Sequence, residues 1–82
     1  MATLIKVNGD KENLEIPEKE GLEILQKAVG GYIEPIYLSN GEIMLVDEEG
    51  LLKSKERNET ASLLSNRGIV GDVVVCSRKE FR

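Results

Sequence analysis

Apolar positions along this chain fall into short clusters that switch between two spacings. Leu4, Ile5 and Val7 are followed by the turn-forming run Asn8-Gly9-Asp10-Lys11, and then Leu14 and Ile16 alternate with polar residues. That pattern predicts a β-hairpin over 3–16, closed by Pro17. From 18 to 29 the spacing becomes helical: Leu22, Leu25 and Val29 fall at i, i+3 and i+7 with Ala28 beside them. Glu18, Glu20 and Glu23 lie early in this helix, where its dipole favours anions, and Gly30 and Gly31 supply the stop.

Alternation resumes from Tyr32 to Leu38 and is answered by Ile43-Met44-Leu45-Val46 across the hairpin signal Asn40-Gly41, which predicts a second hairpin over 32–46. Pro35 removes one ladder donor and marks its strand as an edge or a bulge. Asp47-Glu48-Glu49-Gly50 turns again, Leu51 and Leu52 form a short extension, and residues 53–60 form a polar exposed loop. Asn58 is placed to cap a short helix over 59–65, with Ala61 and Leu64 inward and Leu63 flanking. A last strand covers 69–76, where Val73-Val74-Val75-Cys76 has the β-branched run of a strand buried on both faces. The remaining tail, 77–82, is charged. The order β-β-α-β-β-α-β defines the class as α+β: a small single domain over 1–82 with a mostly antiparallel sheet, one main helix and one short helix.

Composition sharpens this picture. With 82 residues and 40% hydrophobic content the chain suffices for one core, and aromatic content of 4% (Tyr32, Tyr37 and Phe81) makes that core aliphatic. A domain of this size buries only about 60% of its unfolded surface, so its stability margin is thin. Net charge is −4: residues 1–41 hold four basic and seven acidic residues, and residues 42–82 hold seven and eight. Both halves are acidic, which disfavours nonspecific attraction to nucleic acid. One cysteine, Cys76, permits no internal disulfide and fits a reducing compartment. The opening residues are too short an apolar run, too soon charged, for a signal peptide, and no run approaches the ~20 residues that cross a bilayer. The chain reads as soluble and cytoplasmic, in a bacterial host on the resemblance described next.

Val29-Gly30-Gly31-Tyr32-Ile33-Glu34, Asp47-Glu48-Glu49-Gly50, Asn58 leading a short helix with Ala61, and Ile69-Val70-Gly71-Asp72-Val73-Val74-Val75 occur in that order. This succession, from about residue 20 to 76, resembles the family numbered 3846 among domains of unknown function. Such domains are small and occur in phages, prophages, plasmids and bacteria. The resemblance implies a phage or mobile-element accessory protein and transfers no chemistry, because its motifs are structural. The family usually has small residues and proline before the matching asparagine, where this chain has Lys53, Lys55 and Arg57.

Residue by residue, the chemistry is sparse. Gly30-Gly31 follows a helix and precedes a strand, the reverse of the order in a phosphate-binding loop, and so reads as a cap. Lys53, Lys55 and Arg57 lead into a helix N-terminus at Asn58, and three cations with helix amides suit an anion, against which Glu56 and Glu59 act. The Asp47–Gly50 turn lacks calcium-loop spacing and reads as an acidic turn. Histidine is absent, which removes the commonest general base, any histidine-based triad and, with one cysteine, an ordinary zinc site. Cys76, ending a valine run, reads as a buried small hydrophobe. Tyr32 and Tyr37 lie on opposite faces of one strand, so one is expected in the core and the other outside, available for stacking or a homodimer contact.

These observations favour a non-catalytic binding module of phage or mobile-element type, acting by stoichiometric capture of a host protein or a nucleotide-like small signal, with an anti-defence role by analogy. A protein target would meet acidic residues such as Glu18, Glu20 and Glu23. A nucleotide-like target would engage Lys53, Lys55, Arg57 and Asn58 with Tyr32 or Tyr37, in a pocket completed by a second subunit. No metal or cofactor is expected. Two alternatives stand beside this reading: an assembly subunit of a homo-oligomer, paired through the edge strand near Pro35, and a small enzyme working without histidine through Lys, Tyr, Asp or Glu.

Overall fold

A computed structural model describes residues 2–16 and 20–77. The element order is β1 (Ala2–Ile5), β2 (Lys11–Leu14), α1 (Gly21–Val29), β3 (Ile33–Tyr37), β4 (Glu42–Asp47), α2 (Glu59–Ser65) and β5 (Val73–Ser77). The expected order holds, and every strand pair is antiparallel in one five-stranded sheet ordered β2-β1-β5-β4-β3. The expected placements of Pro17, Glu18 and the tail beyond Ser77 lie outside the described residues.

The two central strands explain the aliphatic composition. Each carries side chains on both faces, and a helix covers each face. Ile43, Leu45, Val74 and Cys76 pack with Leu25 and Val29 of α1. Met44, Val46, Val73 and Val75 pack on the opposite face with Ala61 of α2 and Ile69. Strands of an antiparallel sheet usually alternate apolar with polar, and here both-sided cover makes them continuously apolar.

Two expectations about facing residues and one about an extended segment are corrected. In α1, Leu22 is 59% exposed, and the inward set is Gly21, Leu25 and Val29, spaced by four. Gly21 lets the helix sit close to the first hairpin, since a Cβ there would lie 2.9 Å from Cγ2 of Ile16. In α2, Leu64 is 51% exposed and Leu63 82%, while Ala61 and Ser62 turn inward. Ser62 is drawn in because its hydroxyl accepts from the Ile69 amide at 2.9 Å. Leu51 and Leu52 belong to no strand: Gly50 donates to Asp47 O and Lys53 to Glu49 O, which curls the segment into consecutive turns.

The last strand also begins later than expected, at Val73. Residues 69–72 form a loop because Gly71 takes φ +78°, which ends extended pairing after the single bridge between Arg57 and Val70. Pro35 lies on the edge strand as expected, but the ladder loses no donor. Leu38 donates to Glu42 O and Glu48 donates to Tyr32 O, so the even-numbered residues face β4. Pro35 falls in the odd set, whose backbone polar groups point to the free edge.

Candidate functional site

The α1–β3 junction and the β4–α2 loop meet around one carboxylate. Asp47 ends β4 with its side chain only 1% exposed. Its Oδ2 accepts from Lys53 Nζ at 2.9 Å and from Lys55 Nζ at 2.7 Å, and its Oδ1 accepts from the Glu49 amide at 2.9 Å. Both lysines also reach the end of α1: Lys55 Nζ donates to Val29 O at 2.6 Å and Lys53 Nζ to Gly30 O at 3.0 Å. The last carbonyls of a helix have no partner within it and carry the negative end of its dipole, so the two ammonium groups cap α1 from another part of the chain. Burial alone pushes the Asp47 carboxyl up, but hydrogen bonds from Lys55, Lys53 and the Glu49 amide outweigh it and hold the group at about 2.

The paired glycines make this cluster fit, each for a different reason. Gly30 takes φ +86° as the left-handed cap of α1. Gly31 is needed for space: a Cβ there would lie 2.6 Å from Lys53 Nζ and 2.9 Å from Asp47 Oδ1.

The residues expected to bind a ligand are therefore distributed over several places. Lys53 and Lys55 come together, on Asp47. Arg57 turns away and pairs with Glu59 at 2.7 Å on the exposed surface. Asn58 is fully buried: its Oδ1 accepts from the Ala61 amide, capping α2, and its Nδ2 donates to Ile5 O at 3.0 Å and Gly71 O at 2.9 Å. Its polar groups thus bind three backbone segments together. Tyr32 and Tyr37 are 67% and 63% exposed, which corrects the expectation that one of them belongs to the core. Tyr37 ends the edge strand β3, opposite Ile43 of β4, and Tyr32 immediately precedes that strand. They stand five positions apart, about 17 Å along extended chain.

Two grooves lie near this cluster. The larger, about 360 Å³, runs beside the end of α1 between Lys27, Lys55, Glu56, Gly71 and Asp72. Backbone amides on its border are engaged: Val7 donates to Asp72 Oδ1, Gly30 to Gln26 O and Gly71 to Glu56 O. Lys55 is matched by Asp47 and those amides are used, which leaves the exposed Lys27 as the groove's cation without an ion pair among the described residues. The second, about 210 Å³, lies between β3 and the loop after α2. Buried Ile36, Val46 and Ile69 line it together with exposed Glu34, Glu48, Leu51 and Arg67.

Sequence reasoning missed the Asp47 hub because the two lysines lie six and eight residues away through a run of turns, a separation with no regular period. The one available signal was that cations follow the acidic turn closely.

The architecture is that of a small α+β domain with one helix on each face of a five-stranded antiparallel sheet. The chain belongs to the family described as Domain of unknown function (DUF3846), whose model matches residues 1–81. No curated protein and no solved structure matches it.

Proposed function

We propose that this domain is a non-catalytic binding module that captures a protein of its host through the exposed leucines of α2. The observation that carries the reading is the orientation of that helix. It turns Ala61 and Ser62 into the core and presents Leu63, 82% exposed, and Leu64, 51% exposed, to solvent. Contiguous exposed apolar side chains on the surface of a small domain mark an interaction surface. The electrostatics support binding over turnover. Asp47, the buried carboxylate, is held as an anion by two ammonium groups and an amide, which leaves it a poor proton carrier near neutrality. The same contacts engage Lys53 and Lys55, the cations that a nucleotide-like signal would require.

On the family resemblance, the setting is the cytoplasm of a bacterium carrying a phage or mobile element, with stoichiometric blunting of host defence as the role. No described helix is long and apolar enough to cross a membrane.

The test compares the natural chain with the double variant Leu63→Glu, Leu64→Glu, both shown folded by circular dichroism, as bait in host extract. The reading expects a host protein retained at one-to-one stoichiometry by the natural chain and lost with the variant. Melting in a panel of nucleotides and cyclic nucleotides runs beside it. A ligand at 100 times its dissociation constant stabilises by about 2.7 kcal/mol, and such a shift, abolished by Lys55→Ala, would replace protein capture with small-molecule capture.

A further inference from the structure

The groove between β3 and the loop after α2 holds charges of both signs. Glu34 and Glu48 border it together with Arg67. All three are exposed, and none forms an ion pair among the described residues. Between them the floor is formed by the buried Ile36, Val46 and Ile69, 8%, 7% and 6% exposed, beside the buried Asp47, while Leu51 projects at 78% exposed. A groove that offers carboxylates, a guanidinium, an apolar floor and an apolar knob contains each element together with its complement. That is the requirement for a two-fold contact, in which one patch must recognise itself.

We infer that this groove is a self-association surface. Two copies of this chain meet there, with each Arg67 facing Glu34 and Glu48 of its partner and each Leu51 resting on the apolar floor opposite. The contact is made by side chains across the groove rather than by joining sheets, because Pro35 removes the central donor from the free edge of β3. Arg67 sets the register, since it is the one cation among the residues that line the groove. The surface differs from the leucines of α2, so this inference stands or falls independently of the capture reading.

Sedimentation equilibrium over a wide concentration range tests it, with the fold of each variant checked by circular dichroism. The natural chain is expected to rise from 9.1 kDa toward twice that mass. Arg67→Glu is expected to weaken dimerisation by about tenfold or more, and so is the double variant Glu34→Arg, Glu48→Arg. Mixing the two variants is expected to restore a dimer that neither forms alone, a result specific to patches that pair with each other. Leu51→Glu is expected to abolish the dimer without changing the monomer's fold. A monomer at every concentration overturns the inference. So does a dimer indifferent to Arg67→Glu, or a failure of the mixed variants to pair.

Discussion

A methyl group on Gly31 would stand 2.9 Å from the carboxylate of Asp47. The two residues are far apart in sequence, and their closeness ties the helix-to-strand junction to the end of β4. Lys53 Nζ, nearer still at 2.6 Å, is the tip of a flexible side chain and can move aside, but Asp47 is held by three hydrogen bonds. Gly31→Ala is therefore expected to destabilise the fold by about 1–3 kcal/mol, the usual cost of overfilling a packed site. Gly41→Ala is the comparison: a Cβ there meets nothing within 4 Å and suffers only from φ +90°. Urea unfolding of both variants, each made also in an Asp47→Ala background, checks the cause. The penalty at Gly31 should shrink when the carboxylate is gone, and that at Gly41 should not.

The ionic hub predicts an acid-sensitive stability. Asp47 is depressed from its ordinary 3.8 to about 2, so the folded chain holds this carboxylate ionised where the unfolded chain would protonate it. A depressed carboxylate contributes stability that is complete above the unfolded value and is lost as pH falls toward the folded one. About 2 kcal/mol should disappear between about pH 5 and pH 2. Asp47→Asn should be less stable at neutral pH and show a correspondingly flatter profile on acidification. Chemical denaturation at a series of pH values measures both, and parallel profiles for the two proteins would contradict the assignment.

How far the fold could be read from the sequence depended on whether the signal was local. The hairpin turn at Asn40-Gly41, the cap at Gly30 and the apolar run of β5 each act through a few neighbouring residues, and each was legible. Leu22 and Leu64 face outward against their helical spacing because that spacing admits more than one inward face, and distant contacts make the choice. Gly21 against Ile16 turned α1, and Ser62 against Ile69 turned α2. The Asp47 cluster was the least legible, since Lys53, Lys55 and the carbonyls of Val29 and Gly30 come together only after the turns following β4 have formed.

Asn58 gives a third prediction, because its amide is the buried junction of three segments. Asn58→Ala removes the cap of α2, worth about 1 kcal/mol, and also leaves the carbonyls of Ile5 and Gly71 without the donor they now share. The total is expected to reach about 3 kcal/mol. Asn58→Asp separates the parts: it keeps an acceptor for the Ala61 amide but replaces the donor with an anion facing two carbonyls. It should therefore be at least as damaging as alanine, the opposite of the ranking at an exposed N-cap, where aspartate serves well. Thermal melting of the two variants decides between a simple cap and a buried tie.

The edge strand supplies the last prediction. Because the backbone polar groups of Ile33, Pro35 and Tyr37 point away from β4, the missing N–H of Pro35 interrupts the outer edge and leaves the ladder with β4 intact. Replacing it should cost the folded chain little, since Pro35 is exposed and its partner Leu45 remains bonded to β5 on its other side. Pro35→Thr completes a row of outward donors and acceptors on a strand that already carries Ile33 and Tyr37, and so creates a template for another strand. The variant is expected to melt within about 1 kcal/mol of the natural chain yet to form higher oligomers or aggregates rich in β-structure as concentration rises. Light scattering and dye binding follow this directly. A variant that stays as dispersed as the natural chain would mean that charge and twist along β3, rather than its proline, keep the edge unpaired.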